Sequence, residues 1–148
     1  MDKLCLNLLL VEDDVADQNL ILLALKKVSF SYNLQIKTNG LDALSYIQQS
    51  VKNERYPQVM LLDINLPKLT GLQLLEKLSA HSDYGTKKFP HVYTVMFTTS
   101  KFEADKKQAF DLGADDYFEK PSSLQPYIDL LERSYYSYLA KHQVEQNS

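Results

Sequence analysis

The chain has 148 residues, 45% of them hydrophobic and 24% charged, with a formal net charge of −3. That length and balance fit one globular domain burying roughly two-thirds of the surface its unfolded chain exposes. The mild acidity excludes the electrostatic footprint of a nucleic-acid or anionic-membrane binder, and a single cysteine excludes a disulfide framework and a CxxC metal site.

Cys5 lies in an apolar run and reads as a small core residue in a reducing compartment. The apolar segment from Leu4 to Val11 is too short for a membrane span and lacks the shape of a signal peptide, so the expected address is the cytoplasm. Lysine pairs at 26–27, 87–88 and 106–107 are dispersed and read as solvated faces.

Strand and helix signals alternate five times. Leu6 to Val11 reads as a buried strand that stops at Glu12-Asp13-Asp14. Asp14 with Asp17 three residues on resembles a capping pair, ahead of a helical stripe of Leu20, Ile21, Ala24, Leu25 and Val28. Tyr32 to Lys37 is a short second strand. Asn39-Gly40 then opens a helix with Ala43, Leu44, Ile47 and Val51 on its core face, and Pro57 closes the polar loop at 52–56. Val59-Met60-Leu61-Leu62 runs straight into Asp63, and Pro67 forbids continuation, as suits a parallel strand buried on both faces.

Thr70 is the expected N-cap of a third helix with Leu72, Leu75 and Leu78 facing the core. A long loop covers 81–91, with His81 and His91, like His142, expected at the surface and not as ligands. Val92 to Phe97 is a fourth strand ending at Thr98-Thr99-Ser100, and the next helix stops near Leu112, where Gly113 supplies a left-handed turn. Asp116 to Glu119 is a fifth strand ending at Lys120-Pro121. Ser122 or Ser123 starts the last helix, with Leu124, Ile128, Leu131, Tyr135 and Tyr138 at helical spacing. Residues 1–141 form the expected single domain and 142–148 a polar, frayed tail.

Five such units predict an α/β, three-layer, doubly wound parallel sheet, although the pattern alone leaves strand order open. A lone strand-end aspartate such as Asp63 often merely caps a loop. Here, however, a parallel sheet brings Glu12, Asp13, Asp63, Thr98 and Lys120 to one edge. Three crowded acids repel one another, and a hard divalent cation such as Mg²⁺ resolves that conflict while leaving coordination positions for a phosphoryl group. Lys120 and Thr98 supply the charge and donor such an anion needs, which makes Asp63 a candidate nucleophile forming an aspartyl phosphate.

Val11-Glu12-Asp13, Leu62-Asp63-Ile64-Asn65-Leu66-Pro67, Gly71, Thr98, Gly113-Ala114, Tyr117 and Lys120-Pro121, in this order, resemble the receiver domain of two-component response regulators, from Leu6 to Leu139. Leu66-Pro67-Lys68, Thr98-Thr99-Ser100 and the long loop are similar to stand-alone receivers of the chemotaxis and phytochrome-associated type. The resemblance implies a flavodoxin-like five-stranded sheet in the order 2-1-3-4-5. It implies that Asp63 accepts phosphate from a sensor histidine kinase or a phosphotransfer protein. Glu12, Asp13, Asp63 and the backbone oxygen of Asn65 would hold Mg²⁺, and Thr98 and Lys120 would bind phosphoryl oxygens. Tyr117 would be the aromatic switch. Glu12 stands where Asp is frequent, and its longer side chain leaves open direct or water-mediated metal contact.

The reading is thus a single-domain response regulator, not an enzyme with a separate substrate, that switches a surface for a downstream protein. A small Mg²⁺-dependent aspartyl-phosphate phosphatase is the enzyme alternative, but it wants an acid two residues after the nucleophile, where Asn65 stands. A phosphate-independent scaffold is the other alternative. The resemblance further suggests a cis Lys120–Pro121 peptide. Phe102, Tyr117, Tyr127 and Tyr136 are expected to form an aromatic patch, so that helix four, strand five and helix five present the partner or homodimer face.

Overall fold

The computed structural model describes residues 4–147. Ten elements alternate along the chain: β1 (Cys5–Val11), α1 (Val15–Leu25), β2 (Ser31–Lys37), α2 (Gly40–Lys52), β3 (Val59–Leu62), α3 (Gly71–Ala80), β4 (Tyr93–Thr98), α4 (Glu103–Asp111), β5 (Asp116–Glu119) and α5 (Leu124–Asn147). The five strands form one parallel sheet in the order β2-β1-β3-β4-β5.

Strand side chains alternate between the faces, and that period of two divides the core. Leu9 and Val11 of β1, Met60 and Leu62 of β3 and Met96 of β4 join residues of α2, α3 and α4 on one face. Leu6, Leu8 and Leu10, Val59 and Leu61, and Tyr93, Val95 and Phe97 join α1 and α5 on the other. The central strands β3 and β4 are buried throughout, because helices cover both faces.

Capping residues act where the sequence places them. Asp14 Oδ1 accepts from Asp17 N–H at 3.0 Å, and Asn39 Oδ1 accepts from Asp42 N–H at 2.8 Å. Thr70 and Gln73 make a reciprocal capping box, with the Thr70 hydroxyl accepting from Gln73 N–H and Gln73 Oε1 accepting from Thr70 N–H. Gly113 ends the α4 region at φ 103°, a left-handed turn that glycine adopts without a Cβ penalty.

Several expectations are corrected. Cys5 is exposed, because it starts β1 at the amino-terminal margin of the sheet. On α3, Leu74 is fully buried beside Leu75 and Leu78, whereas Leu72 is only half-buried. On α5 the buried set is Tyr127, Leu130, Leu131 and Ser134, and Tyr127 is 0% exposed, so it cannot belong to a surface patch. The polar hydroxyl of Ser134 interrupts that stripe in the sequence and hides it behind the set at 124, 128, 131 and 135. Backbone of α5 stays helical to Asn147, through the stretch expected as a frayed tail. The Lys120–Pro121 peptide is trans, since none of the described peptide bonds is cis, and the chain turns at Ser122-Ser123 before α5 begins. His91 is tied down: its Nε2 lies 2.8 Å from Asp115 Oδ2, which also accepts from Thr94 N–H at 2.8 Å. That contact, together with Lys141, holds the Asp115 carboxyl below the usual aspartate range despite its burial.

The carboxyl end of α2 carries a local cost. Glu54 N–H donates to Val51 O and Arg55 N–H to Ser50 O, the paired bonds of a Schellman ending. Glu54 must therefore take φ 56°, a left-handed backbone that costs a residue with a Cβ about 1–2 kcal/mol. Glu54→Gly relieves that strain and gives back part of it as unfolded-state entropy, so a net stabilisation of about 0.5–1 kcal/mol is expected in urea denaturation. An unchanged or lower midpoint at constant slope contradicts this account.

Candidate functional site

Because all five strands run the same way, their carboxyl ends share one edge, and the register aligns them closely. Val11 pairs with Lys37 and Leu62, Leu62 with Met96, and Thr98 with Glu119. The residues that follow each strand therefore converge: Glu12 and Asp13 after β1, Asp63 after β3, and Lys120 after β5, around Thr98 at the end of β4.

Asp63 is fixed by its backbone. Its N–H donates to Val11 O at 3.2 Å, and its Oδ1 accepts from Asn65 N–H at 3.3 Å. The first residue of α3, Gly71, lies so close that a Cβ there would stand 2.1 Å from Asp63 O, which only glycine allows. Glu12 and Asp63 are 0% and 5% exposed, while Asp13 faces solvent. One carboxylate oxygen from each of Glu12, Asp13 and Asp63 lies within 4.8 Å of the other two.

A single ammonium holds the buried acids together. Lys120 Nζ donates to Glu12 Oε1 at 2.6 Å, Asp17 Oδ2 at 2.7 Å and Asp63 Oδ2 at 3.0 Å. It stands 5.1 Å from the centre of the Phe97 ring, and its backbone N–H donates to Thr98 O at 2.9 Å. Burial pulls the Lys120 ammonium down, but bonds to Asp17, Glu12 and Asp63 outweigh it and raise the group above the usual lysine range. Glu12 moves the opposite way to an ordinary acid. Burial first, then the neighbouring Asp63 and Asp17 carboxylates, pushes its carboxyl up to about 9 against the pull of Lys120. Burial pushes the Asp17 carboxyl up, but the interactions with Glu12 and Lys120 together outweigh it and hold the group below its ordinary value.

The donor set fits a hard divalent cation. Three carboxylates converge, burial raises that of Glu12 above the usual carboxylate range, and Glu12 Oε2 is buried without a hydrogen-bond partner among the described residues. A bound cation would offset that crowding of acids and satisfy the orphaned oxygen, and oxygen donors alone suit Mg²⁺ or Mn²⁺.

Asp17 is the site residue that sequence reasoning missed. At the third position of α1 it reads as half of a capping pair, and its backbone does bond Asp14, yet its carboxylate reaches across to Lys120. Thr98 and Tyr117 are joined through one residue. The Thr98 hydroxyl accepts from Ser100 N–H at 3.2 Å, and Ser100 O accepts from the Tyr117 hydroxyl at 3.2 Å. Ser100 Oγ donates to Asp105 Oδ2 at 2.6 Å, which anchors the same loop to α4.

Comparison with known proteins agrees with this architecture. Residues 8–132 match the family model described as the response regulator receiver domain. Response regulator Rcp1 of Synechocystis sp. is 32% identical over 127 residues, covering 84% of this chain and 83% of that protein. A solved structure of the Mn²⁺-bound form of Rcp1 superposes with a TM-score of 0.72 at 30% identity, covering 88% of this chain and 90% of that one. The phosphorylated cyanobacterial phytochrome response regulator RcpA gives a TM-score of 0.77 at 26% identity, over 93% and 96% of the two chains. A sequence match over that span, shared by relatives that carry the same sheet, makes the chain a member of the response regulator receiver domain family of two-component signalling.

Proposed function

We propose that the chain is a phosphorylation-controlled binding module in which Asp63 is the phosphoacceptor. The observation that carries this reading is the position of Asp63: a strand-end carboxylate, 5% exposed, that shares Lys120 with Glu12 and lies within reach of Asp13. An Asp63 oxygen attacks the phosphorus of a phosphohistidine on a sensor histidine kinase or phosphotransfer protein. The P–N bond breaks, its electron pair leaves with the imidazole, and an acyl phosphate remains on Asp63. Lys120 donates to a phosphoryl oxygen, and Thr98 turns its hydroxyl toward another. Glu12, Asp13, Asp63 and the backbone oxygen of Asn65 would hold Mg²⁺, which when bound neutralises charge on the phosphoryl oxygens. The relatives described as Mn²⁺-bound and as phosphorylated support both parts. The protein is its own substrate, and the kinase partner and the family of relatives are consistent with a cytoplasmic address.

The output follows from the Thr98–Ser100–Tyr117 chain of bonds. The Thr98 hydroxyl accepts from Ser100 N–H and keeps its own O–H free to donate, so turning that O–H toward a phosphoryl oxygen pulls on the loop that also holds the Tyr117 hydroxyl. Releasing Tyr117 alters the face built from α4 and β5, where Phe102 and Phe110 are 75% and 42% exposed and the Phe110 and Tyr117 rings lie 6.5 Å apart. Tyr136 on α5, 58% exposed, extends the candidate surface for a downstream protein or a second copy.

Incubation with acetyl phosphate and Mg²⁺ is expected to give one acid-labile adduct at Asp63, and Asp63→Asn is expected to reduce labelling to background. Undiminished labelling of that variant overturns the assignment.

Stability should report the same cluster. A carboxyl raised from 4.5 to about 9 on folding binds its proton more tightly in the folded state, so its contribution is complete below about 4.5 and is lost as pH rises towards 9. Asp17 and Asp115, both shifted downward, act at lower pH. The metal-free melting temperature is therefore expected to fall between pH 5 and pH 9, and Glu12→Gln to flatten that fall. Mg²⁺ at 100 times its dissociation constant should add about 2.7 kcal/mol at the upper end. A metal-free melting temperature that rises over this range contradicts the proton-holding cluster.

A further inference from the structure

An ammonium has three N–H donors and no acceptor. Lys120 spends all three, on Glu12, Asp17 and Asp63, and the contact to Asp63 is the longest. Nothing in the lysine stem decides where those donors point: the remaining neighbour of Nζ is the Phe97 ring, whose attraction has no such direction. The aim of the ammonium is therefore set by its acceptors.

Two of the three acceptors have other duties. Asp63 carries the phosphoryl group in the reading above, and Glu12 belongs to the carboxylate trio suited to a divalent cation. Asp17 has neither duty. It lies outside that trio and comes from a helix, not from a strand end, with its backbone fixed to Asp14 at 3.0 Å. The neighbouring Gln18 pins the same turn of α1 to Glu12, donating from Nε2 to Glu12 O at 2.7 Å. Asp17 is thus the one carboxylate that can keep its bond to Lys120 whether or not the cation and the phosphoryl group are present.

We propose that Asp17 is the positioning residue for Lys120, tethering its ammonium to α1 so that one N–H stays aimed at the Asp63 oxygens and, after transfer, at a phosphoryl oxygen. The first half of this role needs only the contacts above, and the second rests on Asp63 being the phosphoacceptor. Loss of the tether leaves a donor unspent and a buried ammonium free to reorient. The phosphoryl group then loses part of a preorganised charge-assisted bond, about a tenfold effect on affinity.

The test uses the full chain and two readouts. In ¹⁵N-lysine-labelled, metal-free protein, the Lys120 ammonium protons are expected to exchange with water more slowly than those of exposed lysines. Asp17→Asn should speed that exchange at least about tenfold. With saturating Mg²⁺, beryllofluoride titration should give about tenfold weaker binding for Asp17→Asn, an intermediate value for Asp17→Glu, and a threefold or smaller change in Mg²⁺ affinity. A loss through misfolding would move Mg²⁺ affinity equally, and Asp17→Glu retains the carboxylate should the amide variant fail to fold. Wild-type exchange at Lys120 in Asp17→Asn overturns the tether, and wild-type beryllofluoride affinity overturns the aiming. If the wild type slows Lys120 exchange through Asp17 but forms no beryllofluoride adduct, the phosphoacceptor reading fails while the tether stands.

Discussion

The Lys120 ammonium is the charge on which the whole edge of the sheet depends. Glu12 after β1 and Asp17 in α1 meet Asp63, which follows β3, on one nitrogen delivered from the end of β5, 57 or more positions from each of them. Removing that nitrogen would leave three carboxylates in a pocket where the lysine side chain itself is only 7% exposed. Breaking a buried ion pair by deleting one partner costs about 3–5 kcal/mol, because the other charge is left uncompensated. The same logic explains why one acid gives way. With a single cation for several carboxylates, the most deeply buried of them, Glu12, is the cheapest to keep protonated.

That shortage of positive charge connects stability to function. A receiver with its acids fully compensated would gain little from a cation or from the charge redistribution of phosphoryl transfer. Here burial raises the Glu12 carboxyl and leaves one of its oxygens without a partner among the described residues, so a divalent ion, if bound, would be favoured by the same burial that penalises Glu12. The surrounding packing keeps the acids from relaxing apart. Gly71 holds α3 against the Asp63 carbonyl, and Asp63 N–H is already committed to β1.

What the amino-acid sequence discloses by itself follows from period and topology. Alternation of apolar strands with helical stripes fixed five βα units, and parallel strands necessarily bring Glu12, Asp13, Asp63, Thr98 and Lys120 to one edge. The misses have a common physical origin: each concerns which way a side chain turns once its element is placed. Asp17 sits where a capping acid belongs, and only the approach of α1 to β5 reveals its carboxylate on Lys120. Tyr127 looked amphipathic and exposed because its hydroxyl and the break at Ser134 masked a buried stripe, whereas its ring packs near Phe118 at 6.1 Å and inside the α1–α5 core. His91 reads as a loop residue until Asp115, 24 positions later, comes alongside it.

Burial of Tyr127 also narrows how a signal can leave the site. Its phenol is pushed up to about 12, chiefly by burial and then by the charge of Asp17, and its hydroxyl has no hydrogen-bond partner among the described residues. A large ring wedged between α5 and the sheet, with a polar atom near the acids, makes the start of α5 a stiff wall. The opposite side of Lys120 is built on polar bonds instead. There the loop after Thr98 is held by single bonds at Ser100, to Thr98, to Tyr117 and to Asp105, each of which can be exchanged for another without opening the core. In the proposed reading, Thr98, Ser100 and Tyr117 therefore offer a hydrogen-bonded route from Asp63 to the exposed rings of Phe102 and Phe110 that leaves the packing of α5 on α1 untouched.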